Sequence, residues 1–195
     1  MSLKGQKTTS DYIEWNIVLS LILKLERDGD NKFSVLIACG IFTGLRISDL
    51  LLLRWSDLID KEQLTIIEKK TKKTRTITIN SELKEILSRN YTILNLTEPD
   101  HLIFLNRFEK KSFSVQYVNI RLKEIMTKYK VVGSSTKISS HFMRKSFGRR
   151  VFERNNNSEK SLILLSQIFQ HSTVSITRTY LALTSEEISE AYTNL

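Results

Sequence analysis

The sequence predicts an α+β fold that is mainly helical and carries one small antiparallel β-sheet. Three observations lead there. Chain breakers are scarce, with six glycines and one proline in 195 residues, which favours helices. Most of the chain repeats its apolar residues at helical spacing. Only around residues 63–80 does the period change to the Thr/Ile alternation of a strand.

The elements follow in order. In DYIEWNIVLSLILKLERDG, Ile13, Ile17 and Leu21 share one helical face, with Ser10 placed as N-cap and Gly29 as stop. Asn31 or Lys32 to Phe42 reads as a buried helix broken by Thr43–Gly44, and LRISDLLLLRW as a short helix with Leu50 and Leu53 facing inward. QLTIIE and TRTITIN are the strands of a hairpin whose tip is KKTKK, with Thr76 and Thr78 on one face and Ile77 and Ile79 on the other. Helix resumes at Ser81 in SELKEILSRNYTIL, Pro99 marks a loop, and HLIF is a short extended piece. SVQYVNIRLKEIMTKYK is an amphipathic helix, and the joint VVGSSTKISS leads into the helix HFMRKSFGRRVFERN. SEKSLILLSQIF, TVSITRTYLAL and TSEEISEAYTNL are further helices, the last opened by a Thr184/Glu187 capping box. Residues 1–10 read as a disordered or cloning-derived start and residues 11–195 as one domain.

Hydrophobic residues make up 41% and charged residues 26%, a globular balance. Thirty Lys and Arg against 21 acids leave a net charge of +9. Nucleic acid is the commonest acceptor of such a basic face, and an anionic membrane surface is the main rival. The membrane is the weaker of the two, because no helix joins a basic face to an exposed aromatic anchor. Cys39 stands alone inside VLIACGIF, so no intrachain disulfide forms, which fits a reducing cytosol. There is no signal peptide and no apolar run of transmembrane length.

Several residues could carry chemistry. His141 and Arg144 are three apart and share a helical face, while Met143, Phe147 and Val151 form a separate apolar stripe that anchors the helix. Gly148 lies in the interior of that helix, where it costs about 1 kcal/mol relative to Ala. It suggests close approach by another backbone or by DNA. Arg46 follows an apolar turn, and a buried arginine needs an acidic partner or an anionic ligand. Asp49 could be that partner. Lysines 69, 70, 72 and 73 load the hairpin tip, where a charge run is often merely solvated. His171 alone reads as a helix C-terminal cap, and Tyr180 alone as core or spacer. His101, His141 and His171 lack metal-ligand spacing, and no phosphate-binding GxxxxGK[ST] loop or GxSxG elbow is present. No cofactor is expected.

Taken together, TGLRISDLLLLRWSDL, KKTKKTRTITI, HFMRKSFG and QHSTVSITRTYLAL resemble the tyrosine recombinase (phage integrase) family, from about residue 11 to the end. The final pair, a histidine and a tyrosine with eight residues between them, is the most specific part. The resemblance implies a catalytic domain in which Tyr180 attacks a scissile phosphodiester, giving a 3′-phosphotyrosyl enzyme and a free 5′-hydroxyl, without cofactor. Arg46 and Arg144 match the guanidinium pair that holds the nonbridging oxygens, and His141 the general acid/base. Lys70 matches the hairpin lysine that protonates the leaving oxygen, with Lys72 as the alternative. His171 matches a phosphate hydrogen-bond donor, and Asp49 a supporting acid that orients the active-site helix. The residue types suit the chemistry. Paired forks neutralise a phosphorane, and a phenol with a reference pKa of about 10 needs a base or an electropositive site.

FQH stands where the family usually has Leu-Gly-His, and Lys145 where a second histidine is common. Lys69, Lys72, Lys73, Arg75, Lys145, Arg149 and Arg150, with the helix over 121–130, are expected to track DNA phosphates, making affinity salt-dependent. The DNA-clamping domain that usually precedes such a catalytic domain has no counterpart in these residues. The implied partners are double-stranded DNA and, through the helix after Tyr180, other copies in a DNA-bound homotetramer formed from monomers. The implied setting is a mobile element or prophage and the cytoplasmic nucleoid. Two other readings stay open. A type IB topoisomerase would relax DNA without strand exchange, and a DNA-binding regulator would tolerate loss of Tyr180.

Overall fold

The computed structural model describes residues 10–94, 100–106, 108, 111–133, 136–183 and 192–193. Its central helix is α2 (Asn31–Thr43), whose sequence leaves no polar face over Phe33–Ile41, all of it buried. Around α2 pack α1 (Trp15–Arg27), α4 (Ser81–Leu94) and α6 (His141–Arg154). Gly40 allows the close crossing with α6, since a Cβ there would lie 2.5 Å from the Met143 sulfur.

α1 begins later than its apolar spacing suggests, and Ser10 does not cap it. Residues 10–13 are instead stitched to the segment around α6. The Asp11 N–H bonds the Lys137 carbonyl at 2.8 Å, and the Ile13 N–H bonds Ser146 Oγ at 2.9 Å. Ser146 Oγ donates back to the Ile13 carbonyl at 2.7 Å. These main-chain groups are satisfied across the fold, so they do not open a helix.

After α2 the chain turns at Gly44, in the left-handed region at φ 61°, and forms the single turn α3 (Ile47–Leu50). Strands β1 (Gln63–Ile67) and β2 (Thr74–Thr78) pair antiparallel, with Gln63 opposite Thr78 and Ile67 opposite Thr74. The alternation holds: Thr76 and Thr78 are exposed, Ile77 half-buried and Ile79 buried. The tip is closed by the Glu68 N–H on the Lys73 carbonyl at 3.0 Å and the Lys72 N–H on the Glu68 carbonyl at 2.8 Å. HLIF contributes one isolated bridge, Leu102 to Arg54. α5 (Val115–Lys128), α7 (Glu159–Phe169) and α8 (Val174–Tyr180) are each capped by a hydroxyl, of Ser114, Ser158 and Thr173 respectively. The predicted last helix, with its Thr184/Glu187 box, falls almost wholly outside the described residues.

Among the described residues the buried apolar side chains form two clusters. The larger spans α1 to α5 and the start of α6. The smaller gathers Phe152, Leu162, Leu165, Phe169, Leu181 and Leu183 from the end of α6, α7 and the stretch around α8. α6 belongs to both, and the polar residues of interest lie along the seam. Among the described residues no helix is long and apolar enough to cross a membrane.

Candidate active site

Arg46 and Arg144 reach the seam from opposite sides and meet at one atom. Arg46 Nη2 donates to the Phe169 carbonyl at 3.2 Å, and Arg144 Nη2 to the same oxygen at 3.0 Å. That oxygen is exposed to both because it ends α7, where carbonyls lack helical partners and carry the negative end of the dipole. Gln170 takes a left-handed conformation there, at φ 52°, and turns the chain away. The second fork of Arg144 donates to the Gly44 carbonyl at 2.5 Å, and its guanidinium lies 4.3 Å from the centre of the Phe169 ring. Burial draws Arg144 down to about 10, so it stays charged at neutral pH.

The second fork of Arg46 pairs with Glu68 Oε2 at 2.5 Å. Asp49, which the sequence offers as intrahelical partner, does not fill that role. It is buried, and its Oδ1 accepts the Lys69 N–H at 2.9 Å. It therefore anchors the hairpin tip and does not bond the guanidinium.

Tyr180, at the end of α8, faces the same seam. Its ring packs edge-on against Phe169 and His171, with centres 5.5 and 5.4 Å apart. Its hydroxyl is buried without a hydrogen-bond partner. Burial pushes the phenol up to about 12, against the opposing pull of the Arg144 and Arg46 charges. His171 Nδ1 lies 2.9 Å from Thr177 Oγ1. Burial, then the charges of Arg144, Arg46 and Lys70, bring His171 down to about 4. His141, the first residue of α6, is lowered by burial and by Arg144, Lys145, Arg46 and Lys70. Both imidazoles are thus neutral at neutral pH, and each can accept a proton.

Lys69, Lys70, Lys72 and Lys73 are all exposed on the hairpin. Lys70 is the hairpin lysine whose charge bears on both histidines. Lys72 lies across the tip in a left-handed conformation, φ 58°. Arg75 is a correction to the sequence reading. It points inward, donating to the Thr43 carbonyl at 2.8 Å and to Glu68 at 3.4 Å, because a guanidinium is needed beside a buried carboxylate. Lys145 Nζ sits 5.3 Å from the centre of the Tyr180 ring. Arg149 stacks on Tyr12 at 4.6 Å and pairs with Glu153, and Arg150 lies 5.4 Å from the Trp15 ring centre. On α5, Arg121 pairs with Asp30 and Glu124, and Lys128 with Asp28. Gly148 makes room for side chains, not for a backbone or DNA: a Cβ there would lie 2.6 Å from Leu181 Cδ2 and 3.0 Å from Phe169 Cζ.

Sequence reasoning missed Glu68 and the carbonyls of Phe169 and Gly44. Glu68 left a signal, since it continues the inward alternation of Leu64 and Ile66. An acid at the buried phase of a strand calls for cations. The carbonyls left none. Among the described residues no group of three or more His, Cys, Asp or Glu could hold a metal ion. The arrangement offers two converging guanidinium groups, a phenol, two neutral imidazoles and an exposed ammonium. It suits a tetrahedral oxyanion under nucleophilic attack.

The phage integrase family model matches residues 27–187. The probable integrase/recombinase YoeC of Bacillus subtilis is 30% identical over 153 residues, covering 78% of each chain. Tyrosine recombinase XerC of Pediococcus pentosaceus is 26% identical over 159 residues, 77% of this chain and 49% of that one. Among solved structures, XerA recombinase superposes with a TM-score of 0.71 at 19% identity, over 97% of this chain and 66% of that one. XerH recombinase bound to palindromic difH substrate in a post-cleavage complex gives 0.66 at 18% identity, over 98% and 57%. The seam with its paired arginines and the family match over most of the chain agree: the chain belongs to the phage integrase family, and its fold is that of a tyrosine recombinase catalytic domain.

Proposed function

We propose that the protein is a site-specific DNA recombinase that cuts and rejoins one strand at a time through Tyr180. The observation that carries this is the convergence of Arg46 and Arg144 on the Phe169 carbonyl, beside the buried hydroxyl of Tyr180. A DNA phosphate brings acceptors for both forks and for the idle Tyr180 hydroxyl. Tyr180 Oη then attacks phosphorus, His141 takes the phenolic proton, and the P–O5′ bond breaks. Lys70 protonates the leaving 5′-oxygen. His171 bonds a nonbridging oxygen, and the arginines neutralise the charge that grows there. Attack by another strand's 5′-hydroxyl reverses these steps, so the bond energy is kept in the phosphotyrosine.

Lys69, Lys72, Lys73 and Lys145 steer the duplex by its phosphates, which position but do not specify. The DNA complex of XerH supports a DNA partner. Residues 184–195 dock on a neighbouring copy in a DNA-bound tetramer, and the chain works at the nucleoid as the recombinase of a mobile element or prophage.

Duplex fragments from the flanks of the gene, mixed with the protein in EDTA, should yield an SDS-resistant protein–DNA adduct that Tyr180→Phe abolishes. An adduct from Tyr180→Phe would assign the nucleophile elsewhere. Binding without any adduct from the wild type would favour a regulator.

A further inference from the structure

We infer that Glu68 is a positioning residue that fixes the hairpin lysine Lys70 against Arg46, so that the proton donor and the phosphate clamp form one unit. This rests on the recombinase reading above. The Glu68 side chain is 0% exposed, and a carboxylate is buried so completely only with cations and donors around it. It has three. Arg46 Nη1 lies 2.5 Å from Oε2, Arg75 Nη1 3.4 Å from Oε1, and Thr71 Oγ1 donates to Oε2 at 3.0 Å.

The third contact matters most for function. Lys70 lies between two residues tied to the body of the domain. Lys69 is held by its N–H on Asp49, and Thr71 by its hydroxyl on Glu68. The Glu68 main chain also closes the tip through Lys72 and Lys73. The same carboxylate oxygen therefore bonds both an arginine of the clamp and the residue beside Lys70. No ordinary surface ion pair makes that connection. Arg75 completes it by bracing the other oxygen and reaching the Thr43 carbonyl at 2.8 Å, just before the Gly44 turn.

The expected defect on losing this carboxylate is in proton delivery. Cleavage forms the Tyr180 Oη–P bond and breaks P–O5′, and a proton passes from Lys70 Nζ to O5′. Replacing the bridging 5′-oxygen by sulfur removes the need for that proton, because a thiolate leaves unprotonated at neutral pH. The probe is a nicked duplex of the site mapped by adduct formation, made with a bridging 5′-oxygen or 5′-sulfur. Glu68→Gln should cleave the oxygen substrate about 10- to 100-fold more slowly than wild type, less than the roughly 10²–10⁴-fold of a lost general acid because Lys70 itself remains. It should cleave the sulfur substrate at close to the wild-type rate, as should Lys70→Ala. Thr71→Val, which leaves the Arg46–Glu68 pair intact, should show a smaller loss with the same rescue.

A Glu68→Gln loss that sulfur does not restore would mean that the carboxylate serves Arg46 or the fold alone. Faster cleavage would mean that it competes with the phosphate. Either result overturns the inference. Amide hydrogen exchange separates it from the recombinase reading. Glu68→Gln should speed exchange at Lys69 and Lys72 while α2 stays protected, and unchanged exchange at both also overturns it. If the wild type cuts neither substrate while the exchange result holds, the recombinase reading fails and the hairpin coupling stands.

Discussion

Tyr180 carries a polar atom that the free protein leaves unsatisfied, and this has a thermodynamic signature. A buried hydroxyl without a partner costs about 1–3 kcal/mol. Tyr180→Phe, the variant expected to block the adduct, should therefore keep or raise the melting temperature even as cleavage vanishes. His171 predicts the pH response. Its pKa falls from 6.5 to about 4 on folding, so between those values the unfolded chain binds more protons than the folded one. Stability is then full above about 6.5 and is lost as the pH falls toward 4. His141 shifts in the same direction. Thermal melts across this window should show the decline, and His171→Asn should flatten it. An unchanged slope would mean that His171 is not held neutral in the fold. At this scale the sequence singled out side chains with reactive groups, and the structure gathers Arg46, Arg144, His171 and Tyr180 around Phe169. It was silent about main-chain acceptors, because a carbonyl has no letter of its own.

At the level of elements, the Gly44 turn carries more of the site than its length suggests. It stops α2, sends the chain to Arg46, and offers its carbonyl to Arg144. Its φ of 61° suits glycine, and a Cβ there would lie 2.5 Å from Phe147 Cδ1. Gly44→Ala should destabilise the protein by about 1–3 kcal/mol and slow cleavage by more than that loss explains, since the Arg144 acceptor moves. Chemical denaturation alongside single-turnover cleavage measures both, and a stability loss with normal cleavage would contradict it. Helix α4 was legible to the residue, because its period is clean and its ends are marked. The start of α1 was not, because Ser10 and Ile13 spend their hydrogen bonds on residues more than a hundred positions away. Arg75 and Gly148 were misjudged for a related reason: strand and helix periodicity give a phase but not the partner.

At the scale of the whole molecule, the described residues form two apolar clusters joined by α6, and the site occupies the junction. The smaller cluster is built from residues up to Leu183, so loss of residues 184–195 should leave the site assembled. Deleting it should weaken multimer formation on DNA, read by native gels, more than single-strand cleavage. Equal loss of both would contradict the tetramer role. The general architecture was readable because composition, period and breakers agreed. The seam was not, since sequence gives no sign of which core a helix serves.

That seam divides the reactive groups by chain position as well as by space. A break in the turn at 155–158 would leave Arg46, Lys70, His141 and Arg144 on one fragment, and His171 and Tyr180 on the other. Neither piece alone would own a complete reaction centre. Fused to a pair of proteins that associate on command, the two fragments would make DNA rearrangement conditional on that signal, with the proposed nucleophile withheld until reunion.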